Sequence, residues 1–149
     1  MTRTNYIAIA DLNMPEQKLI NLSWDKEDGG TPARNETRIN ACIEDACNEI
    51  DRHVGQKYKV PLDPFPDSMK PIACHIAIYM LYSRRQPMPA DSTQFINYKD
   101  AVGDLEKIEM GTSTVPNGVS LHSALEGIAS SGSVNQEEPT FGRENLKDF

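Results

Sequence analysis

Apolar residues recur at intervals of three and four over several stretches of the chain, the spacing that places side chains on one face of a helix. The clearest case is Ile39, Cys42, Ile43, Ala46, Ile50 and Val54, with Glu44, Asp45, Asn48, Glu49, Asp51 and Arg52 falling mainly elsewhere on the same helix. Thr31 as N-cap and Pro32 at the first helical position would start that helix, and Gly55 would close it. The next run, 72–82, is apolar nearly all round, which predicts the central and most buried helix. Ser68 would cap it and Pro71 would lie in its first turn; Arg84 and Arg85 would end it, with Pro87 and Pro89 preventing continuation. A third helix over 92–110 carries the stripe Phe95, Tyr98, Val102, Leu105 and Ile108, with Gly111 as C-cap. Gly103 within it costs about 1 kcal/mol against Ala. A short helix over 14–22 is predicted from Asn13 and Glu16 at capping-box spacing, with Pro15 in the first turn.

Between these elements, 24–34 reads as a loop rich in Asp and Gly. The segment 57–67 reads as a stiff linker, because Pro61, Pro64 and Pro66 each fix their own φ and bias the preceding residue toward extended backbone. The expected fold is all-α, a small bundle of about three main helices plus a short N-terminal one. Apolar residues make up 38% of the chain, below the roughly 45% usual for soluble proteins. The deficit falls in 112–149, which is dominated by Ser, Gly, Asn, Glu and Pro and so places the core before Gly111. The expected division is a helical domain over 1–111 and an extended arm for assembly contacts over 112–149. In the arm, Leu121, Leu125 and Ile128 have helical spacing on a piece too short to hold unless docked. Phe141, Leu146 and Phe149 bring apolar anchors back at its far end.

The net charge is -7 and the pI about 4.9, which argues against a surface that holds nucleic acid by neutralising phosphates. No run of about 18 apolar residues is long enough to span a bilayer, and the first residues lack the apolar stretch of a signal peptide, so a cytosolic protein is expected. Cys42, Cys47 and Cys74 cannot all pair; as reduced thiols in helices they behave as small hydrophobes.

Little points to chemistry. Laid on a twelve-residue calcium loop, 25–36 puts Asp25, Glu27, Gly30 and Glu36 at ligand and turn positions, but Gly29, Pro32 and Ala33 occupy positions where that loop needs other residues. An acidic turn ahead of a capped helix describes it better. Cys42, Cys47 and His53 do not share the side of a helix that a zinc site would need. The histidines His53, His75 and His122 have no nucleophile motif around them. No enzymatic activity, metal or cofactor is therefore expected. Arg84 and Arg85 would complement a helix dipole or offer a candidate interface.

Several stretches together carry a resemblance: Tyr6-Ile-Ala-Ile-Ala-Asp-Leu12, Leu19-Ile-Asn-Leu-Ser23, Ala46 with Glu49-Ile-Asp51, and Tyr58-Lys-Val-Pro-Leu62. To these belong the helix that opens Ile72-Ala-Cys-His-Ile76 and ends Tyr82-Ser-Arg-Arg85, Tyr98-Lys-Asp-Ala101, and the terminal stretch 141–149. In their order and spacing they resemble the small neck-protein family encoded beside the capsid genes of Mu-like phages, which looks related in fold to head-tail connector adaptors. The resemblance implies a structural virion protein whose copies form a ring, a dodecamer of about twelve, between portal and tail. The partners it implies are the portal protein, the next neck or tail-completion protein and further copies of the chain. Genomic DNA would pass through the lumen without specific binding, and no membrane is involved. The protein would reside in the virion neck, and in the host cytoplasm before assembly. In that setting Phe141, Arg143, Leu146 and Phe149 are the expected partner-binding residues of the arm. The competing expectation is a small acidic phage-encoded regulatory protein acting in the host cytosol.

Overall fold

The computed structural model describes residues 4–121. Its α-helices are α1 (Glu16–Ser23), α2 (Glu36–Val54), α3 (Lys70–Ser83) and α4 (Thr93–Met110), with 3-10 turns at Ile9–Leu12, Lys26–Asp28 and Asp67–Met69. Among the described residues there is no strand, and the fold is the small all-α bundle that the periodicity predicts. The helices α2, α3 and α4 pack on one another, while α1 lies against α2 and α3.

The stripe of α2 is buried as its spacing requires, and Cys47 and His53 are buried with it. Ile39, Ile43 and Ile50 have no exposed surface; burying such side chains contributes about 1.5–3 kcal/mol each. This makes α2 the most buried helix, not the uniformly apolar α3. On α3 only Ala73, Ile76, Ala77 and Leu81 are buried, and Ile72, Ile78, Met80 and Tyr82 are half-buried. The reason lies in α1, which has eight residues against fourteen in α3 and leaves part of the outer face of α3 uncovered. Helix α4 turns Ala101, Leu105 and Ile108 inward. It also stacks Tyr98 on Tyr79, with ring centroids 4.0 Å apart and planes 12° from parallel. Burial pushes the Tyr98 phenol above its ordinary pKa.

Three helix starts differ from expectation, because residues other than the nearest capping candidates occupy the cap positions. Asn13 does not cap α1; at φ 52° it closes the preceding 3-10 turn, and α1 begins after Pro15 without a side-chain cap. Helix α2 starts at Glu36, not Pro32, because Asn35 is the cap and its side chain accepts the Arg38 N–H at 3.1 Å. The Asn35 N–H is in turn held by the Ser23 hydroxyl at 2.9 Å, which fixes the chain ahead of the helix. Ser68 lies within a 3-10 turn and Met69 takes the cap position of α3, while Pro71 is in the first turn as predicted. Ser92 caps α4 through the Phe95 N–H, and Gly111 closes it at φ 82°, a left-handed conformation that glycine adopts without a Cβ clash.

The core does not stop before Gly111. Val115 is 5% exposed and belongs to it. The stretch 112–121 folds back on the proline-rich segment: the Lys59 N–H donates to the Val119 carbonyl (2.8 Å), and the Leu121 N–H to the Lys57 carbonyl (2.9 Å). The Tyr58 hydroxyl accepts the Val115 N–H at 3.2 Å. Gly118 lies flat against the Tyr58 ring, where a Cβ would come within 2.7 Å of a ring carbon. Composition marks this stretch as arm because it is poor in apolar residues, yet backbone hydrogen bonds and one valine suffice to dock it. The remainder of the arm, 122–149, lies outside the described residues.

Candidate interaction surface

Three nodes hold the helices in register, and each uses groups that could otherwise have served chemistry. At the first, the Tyr6 hydroxyl donates to Asp51 of α2 at 2.5 Å and accepts the Leu62 N–H at 2.8 Å, while its ring stacks on Phe65 at 4.1 Å. One side chain thus joins the N-terminal segment, α2 and the proline-rich loop.

At the second node, Asp25 sits among arginines from two helices. Arg84, at the end of α3, grips it with both terminal nitrogens, at 2.5 and 3.2 Å. Arg85 approaches at 3.4 Å and also donates to the Trp24 carbonyl. Arg38 of α2 reaches Asp25 at 3.2 Å, contacts Asp28, and donates to the Ser23 carbonyl at 3.0 Å. The hydrogen bond from Arg38 holds the Asp28 carboxyl below the usual carboxylate range, helped by the Asp25 backbone N–H, and the same bond raises the Arg38 guanidinium. Asp25, read above at a ligand position of a calcium loop, and Asp28 beside it serve as acceptors for arginine. Among the described residues no three His, Cys, Asp or Glu side chains converge as a metal shell. Arg84 and Arg85, named above as a candidate interface, are turned toward the acidic loop and fasten it to the bundle.

The third node is His53, 4% exposed at the end of α2. Its Nδ1 lies 2.6 Å from Glu109 of α4, and its Nε2 lies 3.0 Å from Arg52 and 3.3 Å from Glu49. With the proton on Nδ1, the ring donates to Glu109 and accepts from Arg52, which also reaches Glu49 at 2.8 Å. Among the described residues no serine, threonine or cysteine shares this chain of bonds, and it has the form of a brace between two helices. Cys42 and Cys74 have thiols pushed up by burial, the reverse of what a reactive thiolate needs.

What remains open is apolar. Along the outer face of α3, Pro71, His75, Ile78 and Tyr82 recur at helical spacing, and they floor two adjoining depressions of about 320 and 410 Å³ that share Leu12, His75 and Ile78. The walls are the 3-10 turn and start of α1 on one side, through Leu12 and Met14, and the first turns of α4 on the other, through Gln94 and Asn97. Together they form a trough along most of α3. The arm residues Phe141, Arg143, Leu146 and Phe149 lie outside the described residues.

A family comparison covers nearly all of the described residues. The family model described as Bacteriophage Mu, Gp36 matches residues 6–125. The chain belongs to the bacteriophage Mu Gp36 family. It is also similar to the Mu-like prophage FluMu protein gp36 of Haemophilus influenzae, at 31% identity over 77 residues. That match covers 52% of each chain, so this chain spans about half the length of the curated relative it matches. Membership makes this a Mu-type phage protein, and among its described residues no helix is long and apolar enough to cross a membrane. Sequence reasoning missed Ser23, which is wholly buried, donates to the Leu19 carbonyl and accepts from Asn35. The signal was available, since Ser23 ends one of the stretches that carry the family resemblance.

Proposed function

We propose that the protein is a structural component of the virion, a head-tail connector whose copies form a ring between portal and tail around the DNA channel. The observation that carries this reading is membership of the bacteriophage Mu Gp36 family by a chain whose ionic groups brace a small helical body. Membership of a Mu-type phage family supports a structural or morphogenetic role. The charged groups that could have served catalysis are engaged in bracing the fold, and the reading is accordingly non-enzymatic. A body of this size buries limited area alone, so an arm reaching a neighbouring copy or the portal adds contact without a larger core. The acidic balance, -7 overall, suits a lumen through which DNA slides without being held.

The test is the composition of purified particles. The protein is expected in each virion at about a dozen copies, the number that the resemblance to head-tail connectors implies. Its absence from particles, with the protein confined to the lysate, would overturn the connector reading and leave the small regulatory protein in its place.

A further inference from the structure

Helix α3 is apolar nearly all round, a pattern that normally means cover on every side. The bundle covers one face fully and the opposite face only in part. Ala73, Ile76, Ala77 and Leu81 are buried against α2 and α4, whereas the opposite stripe, Pro71, His75, Ile78 and Tyr82, floors the trough. From Pro71 to Tyr82 this floor runs roughly 16 Å at 1.5 Å per residue, the length of about three helical turns or five extended residues.

We infer that this trough is the docking site for the C-terminal segment of a second copy of the chain, with Phe141, Leu146 and Phe149 as the apolar anchors. The inference rests on the ring reading above and adds to it where one copy holds the next. Two observations select this occupant. The segment beyond Leu121 is 28 residues long, enough when extended to reach roughly 90 Å, and both of its phenylalanines, Phe141 and Phe149, lie in its last nine residues, where a long reach would deliver them. The departure point and the trough lie toward opposite ends of α4. Leu121 pairs with Lys57, which also lies beside Gly111 at the end of α4, whereas the trough is walled by Gln94 and Asn97 in its first turns. A donor at one end and an acceptor at the other make a head-to-tail contact, the class that generates rings.

A complementation experiment tests this on the full-length chain, with sedimentation velocity as the readout. Ile78→Gln disables the trough and Leu146→Asp disables the segment. The unaltered chain is expected to associate with rising concentration, and each variant alone is expected to sediment as a monomer with unchanged helical circular dichroism. Mixed one to one, the two variants should form a dimer and nothing larger, because one intact trough meets one intact segment. A mixture that stays monomeric, a Leu146→Asp chain that associates normally, or an unaltered chain that is monomeric at every concentration each overturns the inference. Particle composition is a separate measurement. A chain present in virions but failing complementation sinks the trough alone, and a chain that complements but is absent from virions sinks the connector reading.

Discussion

The Tyr6 hydroxyl answers two partners distant in sequence, Asp51 and the Leu62 N–H, and Leu62 itself is 6% exposed. Tyr6→Phe keeps the stack on Phe65 but leaves that buried N–H without its acceptor. We expect a loss of about 1–3 kcal/mol, read from urea unfolding followed by the fluorescence of Trp24. Asp28 gives a prediction in pH. Arg38 holds its folded pKa below the ordinary 3.8, so on acidification the unfolded chain takes up the proton first. The stabilisation from this pair is therefore fully present above about pH 5 and is lost as pH falls through the lowered folded value. Asp28→Asn should lower the melting temperature near neutral pH, and the gap from the unaltered chain should close in acid. A gap independent of pH would show that Asp28 acts through its shape and not its charge.

At the scale of elements, α4 tolerates a glycine in its middle. A Cβ added at Gly103 would meet nothing within 4 Å, so the residue serves no close approach there. Gly103→Ala should stabilise the protein by up to about 1 kcal/mol, a few degrees in melting temperature for a domain of this size. No gain in calorimetry would mean that this position contacts a partner. The helices themselves were legible in advance, since the α2 stripe and the end of α4 at Gly111 follow from local spacing and from glycine's freedom at positive φ. Their starts were less so. Thr31, Asn13 and Ser68 are all chemically able to cap, and which residue does so depends on the rest of the fold. For α2 the decision is made by Ser23, twelve residues before Asn35 in the chain, which holds the Asn35 N–H.

For the whole molecule, the arm divides into two parts with different roles. Its first residues close the body, through Val115 and the pairing of 57–59 with 119–121, and we expect only residues 122–149 to be free for assembly. Full-length chain carrying Phe141→Asp, Leu146→Asp and Phe149→Asp together should keep the melting temperature of the unaltered protein to within a degree or two, because these positions lie beyond the segment that completes the core. The same variant should be missing from particles. Incorporation at normal copy number would remove these three residues from the assembly contacts.

By itself the sequence determined the fold class, the inward face of α2 and the family, because all three are written in local spacing and in the order of short stretches. Which acids and arginines would find one another was decided only in three dimensions. Asp25 draws Arg38 and Arg84 from helices far apart in the chain, and no local pattern distinguishes that arrangement from a solvated acidic turn. The exposure of α3 was also a tertiary outcome. Hydrophobicity states that a helix wants cover on all sides, but how much it receives depends on the length of its neighbours, and the short α1 leaves an apolar face uncovered.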